Sequence, residues 1–180
     1  PHIKLSVLEI SSYDAIKRLN DGSIDIVLTP LDIKERFNTM ESIDIYPTAN
    51  IFCTSLNDPL AQQDSVTFLD IRQRPIAVLN SKLPVDWPLQ IRLCTNTSSL
   101  IREAVSKGIL CALLPQDFVR DWDDVAVLPF NPPQNCAVKA VWNKNLPHSS
   151  ALQEFVDFLL EYFAAQGIVL PEEKIEDDEI

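Results

Sequence analysis

The 180-residue sequence has few of the residues that phosphate loops and catalytic sites depend on. Its only glycines are Gly22, Gly108 and Gly167, which lie too far apart to form a glycine-rich phosphate-binding loop. Its only histidines are His2, at the beginning, and His148, in a Pro-His-Ser-Ser turn. Neither belongs to a visible set of nucleophile, base and orienting partner. The sequence therefore predicts a protein that is not an enzyme and that uses no cofactor.

Cysteine pairs suited to metal binding are also missing. Cys53, Cys94, Cys111 and Cys136 are widely separated, with no C-x-x-C motif and no neighbouring histidine. Zinc sites usually need closely spaced ligands, so we expect no metal site. Cys53 and Cys111 lie inside apolar runs and are predicted to be small core residues. This pattern fits a reducing compartment, and we expect a cytoplasmic protein.

Long apolar runs are absent from the sequence. None approaches the roughly 20 residues that a membrane-spanning helix needs, so we expect no contact with a membrane. The beginning, from Pro1 to Leu5, has no signal-peptide layout. A cleaved signal would leave no trace, however, so secretion stays open at this point.

Basic residues are outnumbered, with 15 Lys and Arg against 26 Asp and Glu, which gives a net charge of −11. DNA repels such a surface because phosphate binding needs clustered Lys and Arg. We therefore expect these residues not to bind DNA by themselves. Much of the charge lies in residues 169–180, which we predict to be a disordered acidic tail that contributes nothing to the core.

The first third of the sequence predicts a strand, a helix and a second strand. Residues 3–10 alternate in part and are rich in Ile, Leu and Val. Ser11 or Ser12 is expected to cap a helix that ends at Gly22. Residues 24–28 form a short apolar run typical of a buried strand. The connection is long enough for a parallel pair with a right-handed crossover.

The rest of the sequence continues this alternation. Strands are predicted over residues 43–46, 49–55, 76–79, 91–94, 109–114, 125–130 and 137–142. One helix is expected to open at Asn96 to Ser99 and to end at Gly108, and the last helix is expected to be capped by Ser150 with Gln153. The fold class is therefore α/β, with largely parallel sheets covered by helices.

Four segments resemble motifs of the effector-binding domain of LysR-type transcriptional regulators. They are Gly22-Ser23-Ile24-Asp25 with the apolar run after it, Asn57-Asp58-Pro59-Leu60-Ala61, Gly108-Ile109-Leu110 through Leu114-Pro115, and Ser149-Ser150-Ala151 through Phe155. They are similar to the family's Gly-x-(Leu/Ile)-Asp strand unit, its "HPLA" turn, its G-x-G segment that ends in (L/I)-P, and its final helix start. Two positions depart from these motifs, because Asp58 stands where His is common and Leu110 where the second Gly is. The resemblance covers about residues 1 to 165.

The resemblance implies a two-lobed fold like type 2 periplasmic binding proteins, with two strands crossing between lobes. We expect these hinge strands near residues 51–55 and 138–142. Lobe I would comprise residues 1–52 and 141–168, and lobe II residues 53–140. A small anionic or polar effector would bind in the cleft. It also implies a homodimer or homotetramer that binds DNA through a winged helix-turn-helix domain, which is not among these residues. The family's first strand and helix would come before Pro1, so the fold is expected to lack them here.

The candidate effector site combines the family resemblance with general rules about ligand sites. Asn96, Thr97, Ser98 and Ser99 begin a helix, whose free N–H groups suit a carboxylate or phosphate; simple capping is the alternative. Thr29 and Pro30 end a strand, where open α/β sheets often bind ligands; a simple strand terminator is the alternative. Leu114 and Pro115 are expected to wall the cleft, with a purely structural role as the alternative.

Two other functions remain compatible with the same scaffold. One is a solute-binding protein for transport, and the other is an enzyme such as a deaminase or dehydratase relative. The residues upstream of such a domain would discriminate between them, because a helix-turn-helix there indicates a regulator and a secretion signal indicates transport.

Overall fold

The computed structural model describes residues 4–10, 12–30, 38–79, 87–147 and 149–168. The strands are β1 (Val27–Thr29), β2 (Met40–Ser55), β3 (Pro75–Leu79), β4 (Gln90–Thr95), β5 (Cys111–Pro115) and β6 (Val125–Asn143). The helices are α1 (Ser12–Asp21), α2 (Phe68–Ile71), α3 (Ser98–Ser106) and α4 (Ser150–Ala165). Short 3-10 segments within the described residues span Pro59–Gln62 and Gln116–Phe118.

The six strands form one mixed sheet in the order β1-β6-β2-β5-β3-β4. The strand β3 lies between β4 and β5 and is parallel to both, whereas the other pairs are antiparallel. The expectation of a largely parallel sheet is therefore right only for the three strands β3, β4 and β5. The class itself, α/β with two lobes, is confirmed.

Two long strands connect the lobes. The strands β2 and β6 contain 16 and 19 residues and pair along most of their length. The sequence predicted two separate strands in each of these regions, which is wrong. Pro47, Pro132 and Pro133 interrupt the apolar pattern there. Residues 130–133 of β6 bulge out without partners in β2, but pairing resumes on both sides, at Asn50 with Gln134 and at Ile51 with Pro129.

Lobe II contains β3, β4, β5 and the adjoining parts of β2 and β6, with a core on each face of its sheet. On one face, Ile101 and Val105 of α3 pack against Cys53 and Ala112. On the other face, Phe52 packs in a second cluster, composed of Leu60, Val66, Ile71, Ile76, Val78, Cys111, Leu113, Leu128 and Phe130. The prediction that Cys53 and Cys111 are core residues is confirmed.

Lobe I contains β1 and the other halves of β2 and β6. Leu19 of α1 packs against Val141 of β6 on one face, and Val156 of α4 packs against Ala140 on the other. Neighbouring residues of a strand point to opposite faces, so Ala140 contacts α4 and the next residue, Val141, contacts α1. Phe52 belongs to the lobe II core and Ala140 to the lobe I core. The boundaries at residues 52 and 141 stay a prediction.

The first predicted strand is absent from residues 4–10, which form no regular secondary structure. The predicted parallel pair with residues 24–28 is therefore wrong, because β1 pairs with β6 in antiparallel register, Val27 opposite Val141. The apolar content of residues 4–10 favours a strand, but a strand also needs a neighbour with free N–H and C=O groups. Residues 4–10 pair with neither of the edge strands, β1 and β4.

The helix ends follow the sequence prediction with one shift. Gly22 and Gly108 have positive φ of 72° and 69°, the left-handed conformation expected after α1 and α3. The cap of α4 is Ser149, whose Oγ accepts the Leu152 N–H at 3.3 Å, and not Ser150. Gln153 instead donates to Asp157, so the predicted capping box is wrong. Ser11 and residues 169–180 lie outside the described residues.

Candidate functional site

The candidate site begins at one edge of lobe II, where three parallel strands end together. Thr95 pairs with Leu79, and Val78 pairs with Leu113, so the ends of β4, β3 and β5 lie at nearly the same level. With a strand spacing near 4.8 Å, the starts of the two segments that follow β4 and β5 are about 10 Å apart. The structure thus brings Asn96 and Pro115 to one edge.

The start of α3 leaves backbone donors available at this edge. Thr97 is the cap residue but its side chain makes no capping hydrogen bond, and the first turn of α3 contains no acidic residue. The Thr97 N–H instead donates to Thr95 Oγ1 at 3.1 Å. Asn96, Thr97 and Ser99 are exposed and Ser98 is half-buried. This helix end therefore presents positive potential to solvent without a competing carboxylate of its own.

Leu114 and Pro115 differ in exposure. The Leu114 side chain is fully buried between β5 and α3, in the same cluster as Ile101 and Val105. Pro115 is half-buried and pairs with Asn50 of β2. Leu114 therefore supports the edge from inside the core, and Pro115 is the member of the pair whose side chain reaches the edge.

Thr29 and Pro30 lie across the hinge, in lobe I. Thr29 is buried and pairs with Lys139, which in turn pairs with Asp44 of β2. Pro115 is level with Asn50, six residues farther along β2, which corresponds to about 20 Å at the rise of a strand. Since β1 runs parallel to β2 and β5 antiparallel to it, the ends of β1 and β5 point toward each other across this interval.

A two-stranded stretch separates the lobes in this interval. Residues 46–49 of β2 and residues 135–138 of β6 pair only with each other, because β1 ends beside Lys139 and β5 ends beside Asn50. The sequence predicted the hinge near residues 51–55 and 138–142, which instead lie mostly inside the lobes. We call residues 46–49 with 135–138 the hinge.

A polar contact joins the hinge to lobe II. The Thr48 hydroxyl donates to Asp117 Oδ2 at 2.6 Å, and Arg120 donates to Asp117 Oδ1 at 2.7 Å. Thr48 is only 3% exposed, so its hydroxyl depends on this partner. Asp117 lies two residues beyond Pro115, in the 3-10 segment that leaves the candidate edge. The segment after β5 is thereby fixed to the hinge.

The ionisable groups beside this contact are held in their neutral forms. Burial raises the pKa of the Cys136 thiol, and the negative charge of Asp117 raises it further. Burial also raises the pKa of Tyr46, again with a contribution from Asp117. A protonated thiol is a poor nucleophile, so the geometry does not favour covalent chemistry at the hinge.

Sequence reasoning missed Thr48, Asp117 and Arg120. Thr48 and Asp117 are 69 positions apart, and no local pattern connects them. One available signal was the acidic residue two positions after the strand that ends in Leu114 and Pro115, because a charge close to a strand end needs a partner.

A cavity of about 190 Å³ lies in lobe I between α1 and α4, far from the lobe II edge. The Asn143 side chain that lines it is satisfied by the Leu19 carbonyl and the Asn145 N–H. Within the described ranges, no three His, Cys, Asp or Glu side chains are grouped to hold a metal ion. No helix there is long and apolar enough to cross a membrane.

Comparison with known families gives a match over most of the sequence. The model of the LysR substrate binding domain matches residues 1–164. The chain belongs to this family. It is the effector-binding domain of a LysR-type transcriptional regulator, as the sequence motifs predicted. No curated protein sequence matches it.

Solved structures of LysR-type domains share its fold. The effector-binding domain of QuiR in complex with shikimate has a TM-score of 0.73 at 19% identity, covering 88% of this chain and 80% of that one. The oxidised form of OxyR has a TM-score of 0.70 at 14% identity over 87% and 80%. A regulator domain from Rhodococcus sp. RHA1 has a TM-score of 0.67 at 18% identity over 83% and 80%. At these identities the likeness concerns the fold alone.

Proposed function

We propose that this LysR effector-binding domain binds a small anionic or polar molecule between its lobes. The lobe II side of the site is formed by Asn96, Thr97, Ser98 and Ser99 with Pro115, and the lobe I side by Thr29 and Pro30. The observation that carries the proposal is the uncapped start of α3 at the edge that faces lobe I. Leu114 supports this edge from the core.

The chemical class of the effector follows from the α3 start. Its free N–H groups and the hydroxyls of Thr97 and Ser98 are hydrogen-bond donors, which a carboxylate accepts. QuiR is solved with shikimate, a hydroxylated carboxylic acid. Small hydroxylated carboxylic acids are therefore the first class to test, with shikimate as the first probe.

Closure of the lobes would convert binding into regulation. An effector that contacts both strand ends prefers the lobe geometry that brings them within its reach, so it shifts the population toward that geometry. In a homodimer or homotetramer, this shift would alter how the DNA-binding parts are presented. The DNA contact belongs to a separate helix-turn-helix domain, since this domain is acidic, and a regulator acting on DNA would work in the cytoplasm.

The test uses the full-length regulator with Thr97→Ala, Ser98→Ala and the double variant. Each lost hydrogen bond should weaken shikimate-class binding by about 1 kcal/mol, while DNA binding without effector persists. Ser106→Ala, at the opposite end of α3, is the matched control. Titration by calorimetry gives the affinities. Equal affinity for the double variant and the control would show that Thr97 and Ser98 serve only the helix and would overturn the site.

A transport protein of the same fold would bind ligand similarly but would not bind DNA. Sequence-specific, effector-dependent DNA binding by the full-length protein distinguishes the two functions. A regulator is expected to leave all of the probe acids chemically unchanged. Measurable turnover of any of them would favour the enzyme alternative instead.

A further inference from the structure

The outer face of α4 combines exposed aromatic and acidic side chains. Phe158 and Tyr162 are 56% and 50% exposed, and their ring centroids are 6.0 Å apart. Glu154, Asp157 and Glu161 are exposed on the same side of the helix, because positions three and four apart lie adjacent on a helix. We call these five residues the α4 face. Adjacent exposed aromatic residues are suited to anchor a protein interface, because such rings contribute most when they fill a partner's pocket.

The charge of the α4 face is not compensated locally. The helix Ser150–Ala165 contains no Lys or Arg. Within the described ranges, none of the salt bridges includes Glu154, Asp157 or Glu161. By contrast, Asp123 and Asp124 of lobe II share Arg102. The α4 face therefore projects a negative potential around two apolar rings.

This charge selects among the occupants that could cover the rings. A second copy of the same face would place three carboxylates against three others, which is repulsive. DNA and anionic lipid are repelled for the same reason. A protein surface with Lys or Arg around an apolar recess complements both the rings and the carboxylates.

We infer that the α4 face is a docking surface for a basic protein surface with an apolar recess that receives Phe158 and Tyr162. One helix face is small compared with stable interfaces, which bury about 1,200 Å² or more, so the contact should be weak and transient. The face is connected to the hinge by ring contacts: Tyr162 packs on Phe163, and Phe163 lies 4.6 Å from Tyr46 of β2. A change at the hinge can therefore reach the docked partner.

The probe is a short synthetic amphipathic helix of leucine and lysine, titrated into the full-length regulator by fluorescence anisotropy. The same helix with glutamate in place of lysine is the peptide control and should not bind. The variant Phe158→Ala with Tyr162→Ala should weaken binding by at least about tenfold, since buried aromatic anchors dominate such contacts. The control Leu69→Ala with Ile109→Ala, two equally exposed apolar residues of lobe II, should change it by less than about twofold.

A second variant set tests the charges and does not depend on the rings. The triple variant Glu154→Gln, Asp157→Asn and Glu161→Gln should weaken binding and flatten its salt dependence. The triple variant Glu9→Gln, Asp64→Asn and Asp121→Asn removes three exposed carboxylates elsewhere and should leave both unchanged. Two results would overturn the docking surface: an equal loss of peptide affinity in both triple variants, or unchanged affinity in the Phe158→Ala with Tyr162→Ala variant. Either would mean that the overall acidity of the protein attracts the peptide. None of these outcomes depends on the effector site.

Discussion

The sheet of lobe II is packed against much more buried apolar side chain than the sheet of lobe I. In lobe II, the central strand β3 has a parallel neighbour on each side, and the two faces of the sheet carry clusters of ten and nine buried residues. In lobe I, the cluster on each face has only three buried residues. In lobe I, β1 has three residues, and its Leu28 is 49% exposed. Leu5, Val7 and Leu8 are also exposed. Apolar residues alone thus do not make a core, because the face they line must also meet a second layer.

The largest expected effect contrasts these two lobes. Phe52→Ala in lobe II should lower the free energy of unfolding by about 3–5 kcal/mol, because the ring is fully buried and leaves a cavity. Leu28→Ala in lobe I should change it by about 0.5 kcal/mol or less. Urea denaturation of the purified domain measures both. Similar losses would mean that β1 is covered in solution.

The next effect concerns the hinge between the lobes. Thr48→Val keeps the shape but removes the hydroxyl that donates to Asp117, a bond to a charged group worth about 1.5–3 kcal/mol. The control Thr39→Val removes only a long contact, 3.4 Å, to Asn20 in lobe I. If denaturation gives the same small change for both, the Asp117 contact does not stabilise the hinge.

Helix α4 of lobe I offers a smaller effect. Ser149→Ala should destabilise the domain by about 1 kcal/mol because it removes the side-chain cap, whereas Ser150→Ala should be nearly neutral. Thermal unfolding of the two variants decides which serine caps the helix. A larger loss at position 150 would restore the cap that the sequence predicts.

The smallest effect is a pH dependence in lobe II. Burial of Asp58 opposes ionisation, but hydrogen bonds from the Leu60 N–H and Arg74 outweigh it and lower the Asp58 pKa below 3.8. A lowered folded-state pKa stabilises the fold above the unfolded value, and this stability is lost as the pH falls through the folded pKa. Asp58→Asn should therefore flatten the stability curve below about pH 4. An unchanged curve would show that the Asp58 pairing does not matter.

The same contrast explains what the sequence could predict. Residues 76–79 and 91–94, the helix closed by Gly108 and the strand ended by Pro115 were all predicted, because each shows a local pattern of apolar periodicity and terminators. Residues 4–10 were mispredicted because a strand's existence depends on a neighbour that periodicity does not reveal. The Thr48 contact with Asp117 depends on a chain reversal over 69 positions, so no local pattern encodes it.

In the candidate site too, features encoded by a local sequence pattern were predicted, and features that depend on distant residues were not. Asn96 to Ser99 were singled out correctly as a helix start, because short polar residues before an apolar stripe are a local signal. Leu114 was expected at the cleft wall but is buried, since its sequence environment does not distinguish a core residue from an edge residue. That the ends of β1 and β5 face each other follows only from the sheet order.

The central claim is that an effector binds between the lobes and contacts both. Hydrogen–deuterium exchange of the full-length regulator, with and without a saturating hydroxylated carboxylic acid that binds it, tests this claim directly. We predict slower exchange at the Ser98 and Ser99 amides of lobe II and, in the same experiment, at the Thr29 end of β1 in lobe I. Slowing confined to one lobe, or to the cavity beside Asn143, would contradict a site between the lobes.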